Sequence, residues 1–154
     1  KDRKHGWISL DQLVKNKNTK DLHKVYIPGA GGKGCDDDSI LGKPFYGEPN
    51  SVCSQTFMVI GYDTEKHNLS KEECLNIIKY IYTKFFRYLV SIKKKTQNGP
   101  RGVYQFVPLQ NFTSDSDIDW SKSTAEIDQQ LYAKYDLTAD EIDFIESKIK
   151  YMKQ

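Results

Sequence analysis

The chain has 154 residues, 38% of them hydrophobic and 29% charged, which suffices for one hydrophobic core and falls short of two. That balance is too apolar and aromatic for a disordered chain and too polar for a membrane protein. The formal charge of +2 conceals a division: residues 1–112 carry 18 Lys/Arg against 11 Asp/Glu, residues 113–146 carry 2 against 10, and the last eight add three lysines and no acid. A basic body can release counterions from a polyanion, whereas an acidic appendage is repelled by one and belongs on the far side. On charge alone, two ordinary solvated surfaces are the simpler reading.

No run approaches the roughly 18 apolar residues of a membrane-spanning helix. Lys1, Asp2, Arg3, Lys4 and His5 lack the apolar stretch of a signal peptide. Cys35, Cys53 and Cys74 have no CxxC spacing and no histidine in metal-ligand register, so we expect free thiols in a reducing cytoplasm. The chain opens on Lys1 rather than Met, and we expect an internal cut in a longer polypeptide.

In chain order, a helical turn is expected around Leu10, Leu13 and Val14. Lys24 to Ile27, stopped by Pro28, reads as a strand. Gly29 to Asp38 reads as a flexible glycine-rich loop, and Ile40 to Pro49 as an edge segment with turns. Val52 to Tyr62 (VCSQTFMVIGY) is the strongest strand pattern. Ser70 and Glu73 have capping-box spacing, and Cys74, Ile77, Ile78, Ile81, Phe85, Leu89 and Ile92 then share one face of a single long helix over 71–95. Asn76, Lys79, Thr83, Arg87 and Lys94 fall on its other, mostly basic face. After the loop Lys93 to Gly102, Val103 to Pro108 alternates with period two and reads as a strand. Asn111 to Ser121 is a polar, acidic linker. Two short helices follow, with capping boxes at Ser123/Glu126 and Thr138/Glu141. Their apolar stripes are Ile127, Leu131 and Tyr135, and Ile142, Ile145 and Ile149. The expected fold is α+β: a small twisted sheet, the long amphipathic helix packed on it, and a C-terminal helical hairpin. Residues 1–112 form the body, and 113–154 form the linker and hairpin of the same unit.

Catalytic motifs were weighed against plain surface. Gly29 to Gly34 has the letters of GxGxxG, but Asp36, Asp37 and Asp38 follow where phosphate would have to sit, and no Ser or Thr follows Lys33 as Walker A needs. A metal-dependent nuclease wants a strand acid and an acid-x-Lys. Glu146-Ser147-Lys148 is the nearest match and lies in an expected helix, while Asp36 to Asp38 read as a solvated loop. His5, His23 and His67 sit in polar surroundings without a serine elbow. No NPPY-like segment or glycine-rich S-adenosylmethionine strand is present. Binding remains. Lys93, Lys94, Lys95, Arg87 and Arg101 are candidates for phosphates; Gln97, Asn98 and Gln105 carry the donor-acceptor pairs that read adenine edges.

Three stretches together, GKPFYGEPNSVCSQTFMVIG (42–61), YIYTKFFRYLVSIKKKTQNGPRGVYQFVPLQNF (80–112) and QLYAKYDLTADEIDFIESKIK (130–150), resemble the C-terminal region of single-chain type II restriction-modification enzymes with an adenine-N6 methyltransferase domain. The central piece is similar to the TaqI-like specificity domain: a helix ending Lys84-Phe85-Phe86-Arg87-Tyr88-Leu89, a basic loop, an aromatic strand and the exit Val107-Pro108-Leu109. The resemblance covers about two-thirds of the chain and leaves the first 40 residues loosely matched. It implies a bacterial, cytoplasmic DNA target-recognition region that closes duplex DNA against the methyltransferase domain of the same polypeptide, which flips out adenine. The loops Gly29–Asp38, with Lys33, and Lys93–Arg101 would then carry specificity. It implies no catalytic residue and no cofactor here; the parent would use S-adenosylmethionine, and Mg²⁺ if it also cleaves. The rival readings are a Mg²⁺-dependent nuclease domain and a structural docking module.

Overall fold

Lys24 to Pro28 forms the central strand β1 of a three-stranded antiparallel sheet, between β2 (Phe45–Gly47) and β3 (Phe57–Ile60). This computed structural model describes residues 6–15, 17–31, 40–63 and 67–152. Cys35, Lys33 and the rest of the 32–39 stretch, with the Lys1–His5 segment, lie outside the described residues.

Successive strand residues point to opposite faces, so Val25 and Ile27 enter the main core while Tyr26 meets the rings of Phe45 and Phe57 on the other side. Val25 pairs with both Tyr46 and Ile60. Lys24 shares the Tyr26 face and is buried; its ammonium donates to the carbonyls of Lys20, Leu22 and Glu48 at 3.0, 2.8 and 3.1 Å. Of the strand expected over Val52–Tyr62, only Phe57–Ile60 pairs with β1. Before it, the chain turns, with Phe57 N donating to Ser54 O at 3.1 Å, and β1 ends at Pro28, which has no N–H to extend a ladder. Gly61, at φ +117°, then redirects the chain where a Cβ would lie 2.6 Å from Leu69. The two-stranded β4 (Tyr62–Asp63) and β5 (His67–Asn68) complete this part.

The expected long helix is two helices. α1 (Lys71–Tyr82) starts from the capping box, Ser70 accepting from Glu73 N and Glu73 from Ser70 N. It stops at Thr83, whose backbone is extended (φ −62°, ψ 149°), and α2 (Lys84–Lys93) begins at once. The first amides of a helix have no partner inside it. Here Asp128, on α3 (Thr124–Lys134), accepts from Lys84 N and Phe85 N, both at 2.9 Å, and Thr83 Oγ1 accepts from Phe86 N at 3.1 Å. A break that would expose orphan donors inside the protein is thereby satisfied.

The polar helix face is turned inward rather than to solvent. Asn76 donates to Phe112 O (3.0 Å), Lys79 to Trp120 O (2.5 Å), and Arg87 to Thr83 O (3.2 Å) and Lys150 O (2.7 Å). These side chains hold the segment after Phe112 and the C-terminal end against the helices. Arg87 is 0% exposed, and burial lowers its pKa. The expectation that Arg87 meets phosphate from an exposed basic face is therefore corrected: its guanidinium donates to the Thr83 carbonyl one turn back and to the Lys150 carbonyl from the distant C-terminal stretch.

Both later capping boxes form, at Ser123/Glu126 and at Thr138/Glu141 ahead of α4 (Ala139–Lys148). Between them Asp136, at φ +50°, ends α3 with Asp136 N donating to Ala133 O and Leu137 N to Tyr132 O, the paired bonds of a Schellman turn. Ile127, Leu131, Ile145 and Ile149 are buried in one cluster with Phe85, Phe86 and Val90, and Tyr135 stacks on Phe85 at 5.1 Å. The α+β class expected from the sequence is the one observed. Val103–Pro108 is not a strand: Arg101–Tyr104 is a 3-10 turn, with Val103 N bonded to Pro100 O and Val107 N to Tyr104 O. Another 3-10 turn, Leu10–Gln12, leaves Trp7, Leu10 and Val14 exposed. Among the described residues no helix is long and apolar enough to cross a membrane.

Burial of Asp128 raises its pKa from 3.8 to about 6, against the two amides and Arg87, which favour its charge. A raised carboxyl pKa means the native state binds the proton more tightly, so this group's stabilisation is complete below about pH 4 and is lost as pH rises through about 6. Asp117, Asp119, Glu126 and Glu141 are shifted the other way by hydrogen bonds, and their contribution is lost as pH falls through their lowered values. Urea unfolding should therefore give maximum stability near about pH 5. Asp128→Asn should flatten the rise between pH 7 and 5 and cost about 1–3 kcal/mol at pH 7, because the two N–H groups use different carboxylate oxygens and one of these becomes an NH2 donor.

Candidate nucleic-acid interface

The two loops singled out in the sequence are joined by backbone hydrogen bonds. Gly31 N donates to Gln97 O and Gly99 N to Gly29 O, both at 2.9 Å, with Ala30 opposite Asn98 in an antiparallel bridge. Gly31 is required by close approach: a Cβ there would stand 2.6 Å from Gly42 N. The start of the glycine loop is thus a short rung of sheet.

Lys94 fastens this junction. α2 ends as Lys94 N bonds to Val90 O, and the side chain, 1% exposed, reaches back to donate to Gly31 O at 2.7 Å and Thr96 O at 2.8 Å. Its assignment to phosphate is corrected on the same grounds as Arg87, because its ammonium is committed to carbonyls of both loops. The three-lysine run therefore divides: Lys93 and Lys95 are exposed and Lys94 is buried between them. Gln97, Asn98, Arg101 and Gln105 are exposed as well.

Among the exposed set, the side chains of Lys95, Gln97, Asn98 and Arg101 make no hydrogen bond or ion pair with the described residues. Lys93 donates to Gln105 Oε1 at 2.6 Å and lies 5.0 Å from the centroid of the Phe106 ring. That ring is 47% exposed. Period two groups Phe106 with Tyr104, but the chain leaves the 3-10 turn through Gln105 in a helical rather than an extended conformation (φ −56°, ψ −31°), so the two part company. Tyr104 packs against Phe86, and its hydroxyl is buried without a hydrogen-bond partner among the described residues, its pKa pushed up to about 12 by burial.

Beside the 101–104 turn lies an apolar cleft of about 840 Å³ between β3, α1 and residues 104–113, with Arg101 on its wall. Leu109 borders it and is 92% exposed. Of the nuclease candidates, Glu146 accepts from Tyr132 and pairs with Lys84 at 2.5 Å, and Lys148 lies over Phe144, while Asp36 to Asp38 lie outside the described residues. Cys53 and Cys74 are free thiols. Comparison with family models, with curated proteins and with solved structures gave no match to this chain.

Lys94→Met should destabilise the fold by about 1–3 kcal/mol, since the carbonyls of Gly31 and Thr96 lose the buried ammonium that joins them. Lys95→Met should change stability by less than about 0.5 kcal/mol. Equal effects in chemical denaturation would contradict the division of labour between these neighbours.

Proposed function

We propose that the chain is a sequence-specific duplex DNA recognition domain of a type II restriction-modification enzyme, and that it positions an adenine-N6 methyltransferase domain of the same polypeptide. The observation that carries this reading is the 95–101 loop: its backbone is fixed by the Gly29–Gly31 rung and by Lys94, while its two cations and two amide side chains are exposed and bond to no other side chain among the described residues. Fixed backbone with free polar ends suits base reading, since little side-chain ordering beyond the contact itself must accompany binding. Resemblance of residues 80–112 and 130–150 to the C-terminal region of such enzymes supports the same assignment. In this reading Lys93, Lys95 and Arg101 meet phosphates, Gln97 and Asn98 read base edges, and transfer of the methyl group from S-adenosylmethionine occurs elsewhere in the parent.

The test is binding of fluorescent duplex DNA across a salt series. Replacing Lys93, Lys95 and Arg101 together by Ala, with Lys94 intact, should weaken all duplexes alike and lower the slope of log K against log salt by up to about 2.7. Gln97→Ala or Asn98→Ala should cost about 1–3 kcal/mol on the target and relax discrimination at one base pair. An unchanged slope in the triple variant would overturn the placement.

A docking module is the second reading, favoured by the apolar cleft and the exposed Leu109 beside it. Leu109→Asp separates the two. It should leave DNA affinity within about twofold if the loop alone meets DNA, and should release the chain from the methyltransferase domain if the cleft is a domain contact.

A further inference from the structure

Resting on the DNA-recognition reading, we propose that Phe106 is a stacking platform for an unstacked nucleobase beside the 95–101 loop. Most aromatics of this region are structural: Phe85 and Phe86 are buried, and Tyr104 packs on Phe86. Phe106 alone among the aromatic residues of 80–106 combines wide exposure with a cation, Lys93, over its ring. It follows a 3-10 turn that begins with the exposed Arg101, and Lys93 holds one position over the ring while bonding to Gln105. Ile92, also exposed at the end of α2, adds apolar surface to the same helix terminus.

The chemistry selects a nucleobase over other apolar ligands. A base presents a flat π face to the ring and hydrogen-bonding edges to an amide, and its attached phosphates are anionic. The surface offers the matching set in Phe106, Gln105 and Lys93. An aromatic ring accepts any base, because every base has a π face, and cations beside it add to the attraction. In an intact duplex the bases stack on each other, so engagement of Phe106 requires one step to open. A strand with a base already unpaired avoids that cost. The platform therefore predicts tighter binding of a bulged duplex than of the intact one, by a margin that depends on the ring and not on the surrounding charge.

The test uses the whole chain and two 20-base-pair probes of one sequence, one intact and one with a single extra 2-aminopurine, read by anisotropy and by 2-aminopurine fluorescence. The expected result is roughly tenfold tighter binding of the bulged probe, with its fluorescence quenched on stacking. Phe106→Leu should abolish both the preference and the quenching, with intact-duplex affinity and salt slope unchanged. Phe106→Trp should retain both. Thermal unfolding of each variant shows that the fold is kept. Intact-duplex binding without the preference, or a preference that survives in Phe106→Leu, overturns the platform and leaves DNA recognition standing. Failure of the wild-type chain to bind either probe overturns both.

Discussion

The Asp128 carboxylate, seated on the first two amides of α2, is the constraint on which the arrangement depends. It is a charged cap supplied from 43 residues away rather than by the preceding residue. By satisfying those amides it allows the helix to stop and restart at Thr83 inside the protein, where unpaired donors would otherwise be costly. It also fixes α3 beside α2, and Arg87 near it closes the packing by bonding to the C-terminal stretch. The helix faces, the acidic segment and the hairpin are thus held as one body by a carboxylate whose own burial opposes its charge.

A common device recurs wherever the chain buries a cation. Among the described residues the buried Lys24, Arg87 and Lys94, and the half-buried Lys79, all donate to main-chain carbonyls. Carbonyl oxygens accept without bringing a second charge out of water, so the arrangement differs from a buried salt bridge, whose two partners must both be desolvated. Each such cation links segments distant in sequence, as Lys94 links to Gly31. Part of the positive charge that suggested a polyanion-binding surface is therefore structural, while Lys93, Lys95 and Arg101 stay exposed near the end of α2.

What was legible in the sequence was local. The boxes at Ser70, Ser123 and Thr138 depend on residues three apart and are all present. β1 was marked by Pro28, and the apolar stripe from Cys74 to Phe85 was readable from periodicity. The break at Thr83 was not, because an amphipathic period continues across it and its cause, Asp128, lies on another helix. Val103 to Pro108 misled because alternation over six residues suits a strand while no strand edge was at hand to receive it. For the candidate site, the exposure of Lys95, Gln97, Asn98 and Arg101 followed from their loop, but the burial of Arg87 and Lys94 could not be read. It depends on carbonyls contributed by the chain end and by Gly31.

The rung between Gly29–Gly31 and Gln97–Gly99 couples the lengths of the two loops. A lengthening of either segment inside the rung would break two backbone hydrogen bonds and misalign the ammonium beneath, whereas exchanging both segments together preserves the match. Diversification of this surface, in nature or by grafting, is accordingly expected to proceed by side-chain replacement at fixed loop length or by paired transfer of both strands of the clasp.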